Sequence, residues 1–150
     1  MAFNTQPSLE QLNAYNKETI AETLGIEIVE IGTEHLTARM PVNRHTHQAL
    51  GMLHGGASCV LAEHVASIAA NLCLNRDTHV ALGLDLNTNY VRAVKSGYVY
   101  GKASPIHIGS RSQVWEIKIT DEAGQLTSIA RLTMMVIPVS LETMRKQIPG

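Results

Sequence analysis

Between Gly55 and Leu74 the chain reads GGASCVLAEHVASIAANLCL, a run that is almost wholly apolar or small and holds a single carboxylate, Glu63. Its length and its alanines and serines predict one long helix, buried against a sheet that can approach closely. Ala62 and Val65 lie beside Glu63, with Val60 and Ala66 a turn away. Burying a charge in such company is costly unless it is paired or put to use. The helix is opened by His54-Gly55-Gly56, and bare glycines leave the first backbone N–H groups open to an incoming polar group. One element thus offers a candidate base or nucleophile and a candidate oxyanion donor, the equipment of acyl-transfer chemistry. Glu63, His64 and Asn71 interrupt the run too often for a membrane span.

The rest of the composition narrows the class without naming the chemistry. At 150 residues, 45% hydrophobic and 17% charged, the chain fits one globular domain, residues 1–150, with room for a core. Twelve basic residues balance thirteen acidic ones and do not cluster with aromatics, so no nucleic-acid partner is expected, and no membrane partner either. The start, MAFNTQPSLEQL, has neither the basic opening nor the apolar stretch of a signal peptide. Cys59 and Cys73 would lie roughly 21 Å apart on the same helix and could not bridge each other. A reduced, cytoplasmic setting follows as the expectation.

Along the chain, Ser8 with Gln11 makes a capping box, and Leu9, Leu12 and Tyr15 predict an N-terminal helix running to about Thr23, closed by Gly25. Ile26, Ile28 and Ile31 read as a strand, paired across Gly32-Thr33-Glu34 with Leu36, Ala38 and Met40. Residues 41–53 lack periodicity and read as a loop. After the long helix the period becomes two. Val80, Leu82, Leu84 and Leu86 alternate with small or polar residues and read as the core face of a strand continuing to Arg92. Tyr98 to Ala103 is a second strand closed by Pro105. Val114 to Thr120 turns at Asp121-Glu122-Ala123-Gly124 and returns over Leu126 to Ile137. Residues 139–150 are a tail, with Ser140 to Gln147 either a short helix or loose. The order predicts an α+β domain, antiparallel strands wrapped around one helix.

Gly55 and Glu63 are eight residues apart, roughly 12 Å along a helix axis, and a glutamate leaning toward the N-terminus recovers only part of that. They cannot both touch one carbonyl carbon within a subunit. If both act, a second helix must run antiparallel to the first, which predicts a two-fold homodimer with shared active sites. Ser67, four residues on, shares a helix face with Glu63 and could hold a water or orient the carboxylate. Gln48 offers an amide donor near the Gly55 N–H.

The segment from Gln48 through His54-Gly55-Gly56 to Glu63 and Ser67 resembles the hotdog-fold acyl-CoA thioesterases, in the branch of phenylacetate-pathway and 4-hydroxybenzoyl-CoA thioesterases. The runs GLDLNTNYVR (83–92) and PIHIGSRSQVWEI (105–117) look closest to bacterial 1,4-dihydroxy-2-naphthoyl-CoA hydrolases of menaquinone biosynthesis. The resemblance spans roughly residues 25–137 and implies a hotdog fold. It makes Glu63 the nucleophile or general base, the Gly55 N–H the oxyanion donor, Gln48 and His54 the groups that orient or polarise the thioester, and Ser67 the residue that positions water. It implies substrate and coenzyme A lying along Leu82, along Asn89, Tyr90, Val91 and Arg92, and along Ile106, His107, Ile108, Gly109, Ser110 and Arg111. Arg92 and Arg111 suit phosphate, and Gly109-Ser110 offer donors. No metal and no cofactor are expected, coenzyme A being part of the substrate. The dimer is expected to pair again into a homotetramer.

Each residue also has a plainer reading. Glu63 could be a structural carboxylate tied to an amide or arginine, and His54 could cap the helix. Gly55, Gly56 and Ser67 could serve close packing, and Arg92 and Arg111 could be surface charges. His45, His47, His54 and His64 form no recognisable ligand set, and a helix turns His64 about 100° from Glu63. Rival functions are a hotdog hydratase or dehydratase, a non-catalytic acyl-CoA-binding module, and a proofreading thioesterase on aryl or acyl carrier proteins.

Overall fold

The computed structural model describes residues 3–139, so the predicted terminal helix or tail at 140–147 lies outside the described residues. The Ser8–Gln11 capping box starts α1 (Leu9–Ala14), but the helix does not run on to Thr23. Glu18 takes a left-handed φ of 58°, and Thr19 caps a separate α2 (Ile20–Leu24) by accepting from the Ala21 N–H at 3.2 Å. Two caps in one stretch make two short helices. Gly25 closes the second at φ 69°, a conformation that glycine adopts without strain.

The remaining elements are β1 (Glu27–Ile31), β2 (Leu36–Pro41), α3 (Gly55–Leu72), β3 (His79–Tyr90), β4 (Tyr98–Ile108), β5 (Ser112–Asp121) and β6 (Leu126–Pro138). All six strands join one antiparallel sheet in the order β1-β2-β4-β5-β6-β3. The sheet wraps α3, whose inner stripe of Ala57, Leu61, Ala62, Val65, Ala66, Ala69 and Ala70 is buried against Leu36, Met40, Trp115, Ile117, Ile119, Leu132 and Met134. The leucine, valine, isoleucine and methionine side chains among these stabilise by about 1.5–3 kcal/mol each when removed from water. The small residues on α3 allow close approach. At Gly101 of β4 a Cβ would come within 3.1 Å of Leu61 Cγ.

Two polar side chains packed against this core, Gln113 and Asn71, are matched. Gln113 accepts from Trp115 Nε1 at 2.9 Å and donates to the Ala70 carbonyl at 3.3 Å. Asn71 fastens the start of β3 to the helix by taking both backbone groups of Ala81, each at 3.0 Å.

Two strand expectations need correction. Val80, Leu82, Leu84 and Leu86 do not form one core face, because a β-bulge between Gly83 and Asp85 shifts the register of β3 against β6. Before the bulge Ala81 and Gly83 face the helix, paired with Val136 and Met134. After it Leu86, Thr88 and Tyr90 do. Leu82 lies on the outer face at 47% exposure, and Leu84, the extra residue, is 65% exposed. β4 also does not stop before Pro105. Its pairing with β2 ends at Ala103, so beyond that point only β5 flanks it, and a proline costs no ladder bond on the open side.

Candidate active site

Glu63 is half-buried on the flank of α3 and lines an open groove with Ile20, Cys59, Val60, His64, Ser67 and Leu86. Its Oε1 lies against the α-carbon of Gly83, so close that a Cβ there would collide with it. Burial raises the Glu63 pKa above its ordinary value, while a long 3.5 Å hydrogen bond from Ser67 Oγ works in the opposite direction. The carboxylate is therefore a stronger base than a solvated one, with one weak donor to hold its charge. His64, expected to turn away, shares the groove. Its Nε2 is buried without a partner among the described residues, and burial holds its pKa below the usual imidazole range.

A separate hollow surrounds the tip of α3, lined by Gln48, Met52, Leu53, Gly55, Ser58, Tyr90, Val91, Arg92, Ala93 and Thr127. No residue is common to the two linings. His54 caps the helix, its Nδ1 accepting from the Gly56 N–H at 2.8 Å. The Ala57 and Ser58 N–H groups turn back to the His54 carbonyl at 3.0 and 3.2 Å. Among the described residues the Gly55 N–H donates to nothing, so it is the open donor at the tip. The Gln48 Oε1 accepts from the Leu50 N–H, which leaves its amide hydrogens as the free end.

The expected coenzyme A residues fall into two groups within one chain. Tyr90, Val91 and Arg92 join Gly55 and Gln48 at the tip, with Asn89 bonded to Asn87 beside them at 3.3 Å. Ile106 to Arg111 lie at the opposite end of the sheet, where Leu82 pairs with Met135, Met135 with Ser112, and the Arg111 carbonyl accepts from Val136. From Ser128, opposite Tyr90, to Met135 is seven residues of β6, roughly 24 Å. Arg92 and Arg111 are exposed, with no ion pair among the described residues.

Sequence reasoning missed Gly83 as the floor beneath Glu63, and Cys59 with Thr88 beside Tyr90. A lone glycine among Val80, Leu82, Leu84 and Leu86 was the available signal for the first. Among the described residues no three His, Cys, Asp or Glu side chains cluster as metal ligands would, and no helix is long and apolar enough to cross a membrane.

A long helix in an antiparallel sheet, with a desolvated glutamate on its flank and an open amide at its tip, is the hotdog arrangement, and the chain belongs to the thioesterase superfamily, whose model matches residues 50–128. It is a thioester hydrolase. Among its relatives, the 1,4-dihydroxy-2-naphthoyl-CoA hydrolase of Escherichia coli is 43% identical over 91% of this chain and 100% of its own. The proofreading thioesterase EntH of Cronobacter turicensis is 42% identical over 91% of this chain and 99% of its own. A crystal structure of a thioesterase mutant from Pseudomonas aeruginosa superposes with a TM-score of 0.91 at 43% identity, covering 93% of this chain and 100% of that one.

Proposed function

We propose that the substrate is an aromatic acyl-CoA resembling 1,4-dihydroxy-2-naphthoyl-CoA, hydrolysed to the free acid and coenzyme A at sites shared between two subunits. The observation that carries this reading is the division of labour along α3: Glu63 occupies one hollow and the open Gly55 N–H another, eight residues away. Each hollow lacks what the other holds. Among the described residues β3 leaves one edge unpaired over His79–Tyr90, and an unpaired edge is a template for a second strand. Two such edges, antiparallel and centred on Asn87, would set Leu86 opposite the partner's Thr88 and, across the bulge, Gly83 opposite the partner's Tyr90. Glu63 lies on the first and the partner's Gly55 packs on the second. The same two-fold would bring Asn89 to Arg92 of one chain toward Leu82 and the 106–111 hairpin of the other, giving coenzyme A one continuous bed.

In that site the Gly55 N–H would stabilise the oxyanion, with Gln48 and His54 orienting the thioester carbonyl. The Glu63 carboxylate would either add to the carbonyl carbon, expelling the coenzyme A thiolate and leaving an anhydride that water opens, or take a proton from the attacking water that Ser67 positions. Either route needs the carboxylate ionised and desolvated. The second reading, a proofreading thioesterase on an aryl carrier protein, draws support from a relative named a proofreading thioesterase, so a matched pair of aryl-CoA and aryl-carrier-protein thioesters belongs in the assay.

Subunit mixing tests the shared site. Glu63→Ala and Gln48→Ala proteins should each release little thiol. Unfolded and refolded together, half the dimers are mixed and each has one intact site, so about a quarter of wild-type turnover should return. No recovery from a mixture shown to exchange subunits would reject it.

A further inference from the structure

The tip of α3 carries a second device, centred on a residue that the resemblance assigns to coenzyme A. The Tyr90 hydroxyl donates to the Gly55 carbonyl at 3.1 Å, and the His54 ring accepts from the Gly56 N–H at 2.8 Å. These are the two ends of one peptide unit, Gly55–Gly56. Backbone at paired glycines is otherwise soft, since no Cβ restricts φ and ψ. The Tyr90 ring also lies flat against Gly55, where a Cβ would stand 2.8 Å from its Cζ. Cys59 Sγ, one turn along the same helix face, sits 3.0 Å from the same phenol oxygen, and Thr88 Oγ1 lies 3.6 Å from the sulfur, so the hydroxyl is held by a second neighbour besides Gly55.

We propose that Tyr90 is a positioning residue of the thioesterase reaction: with His54 it clamps the Gly55–Gly56 peptide at both ends, holding the neighbouring Gly55 N–H aimed at the substrate carbonyl. This rests on Gly55 being the oxyanion donor. The clamp suits that task because an oxyanion donor contributes most when it needs no reorganisation as charge develops. It explains why a tyrosine half exposed at the end of a strand spends its hydroxyl on a helix backbone carbonyl. Its pKa is pushed up to about 12, by the Cys59 contact first and then by burial, so the phenol stays protonated and donating through the whole working range. Tyr90 then acts through the backbone, and coenzyme A binding is left to Arg92 and the groups beside it.

The test is Tyr90→Phe, which keeps the ring against Gly55 and removes only the hydroxyl. Losing one neutral hydrogen bond and loosening an aligned donor should lower kcat about tenfold or more, with KM unchanged. Two non-hydrolysable ligands separate positioning from binding. An S-alkyl-CoA thioether, with no carbonyl, should bind the variant and the wild type equally. A fluoroketone analogue, whose hydrate carries the tetrahedral oxygen of the transition state, should bind the variant several-fold more weakly. Amide exchange at Gly56 should quicken in the variant while the core amides keep their protection. A rise in KM and equal weakening of both analogues would make Tyr90 a binding residue and overturn the proposal, as would wild-type kcat. If the wild type itself releases no thiol from aryl or acyl thioesters, the thioesterase reading fails first and the proposal falls with it.

Discussion

Gly83→Ala puts the placement of Glu63 to a direct trial. Residue 83 pairs with Met134 just before the bulge, so its side chain would project to the helix side of β3, onto Glu63 Oε1. Gly83 is not among the positive-φ glycines, so alanine is conformationally admissible there. A methyl group at that point leaves the carboxylate no room, and the oxygen must retreat by roughly 1 Å, a displacement that can lower the rate of an aligned reaction about a hundredfold. The fold should tolerate the change. The obstructed atom is the far end of a flexible side chain, and replacing glycine reduces unfolded-state freedom by an amount worth about 0.4–1 kcal/mol. Release of coenzyme A followed with a thiol-reactive chromophore gives kcat, and thermal melting by circular dichroism gives stability. A Gly83→Ala protein with wild-type kcat would show that the carboxylate position on β3 is irrelevant to turnover, and the reasoning from the groove would fall.

Two further outcomes follow from the described contacts. Because burial raises the Glu63 pKa in the fold, the native state holds that proton more tightly than the unfolded chain does. Stability should therefore fall as pH rises from the ordinary glutamate value of 4.5 through the raised one, and then level off. Glu63→Gln should remove that fall in a series of melts across pH, and the acid limb of the wild-type kcat/KM profile should lie above the ordinary value. Gln113→Leu should lower Tm by several degrees, since it strands the buried Trp115 N–H, a loss of about 1–3 kcal/mol; an unchanged Tm would show that another acceptor takes it.

Much of the fold was legible because the period of the apolar residues changes where the elements change. The small-residue run placed the end of α3 to within two residues, and the span Val114 to Thr120 lies wholly within β5. The failures share a cause: in each a local pattern admitted two readings and a distant contact decided. Four apolar residues at alternate positions mimic one face in β3, and only pairing with β6 exposes the bulge. Pro105 looks like a stop until β2 is seen to end beside it. At the candidate site Glu63, Gly55 and His54 were readable from helix spacing and capping chemistry. The Tyr90 contact with Gly55 was not, because it joins residues 35 positions apart.

The extra residue in β3 has a genetic corollary. Ala81 and Gly83 look inward on one phase of the strand and Leu86, Thr88 and Tyr90 on the other, with Leu84 as the hinge between two incompatible alternations. Losing that single codon would bring the two alternations into step and straighten the strand, with the seat of the acid and the phenol still on its inner surface. A codon lost or gained beyond the bulge has no such slack to absorb it, and would put Gly83 under the flank of α3 and Tyr90 at its tip on opposite faces.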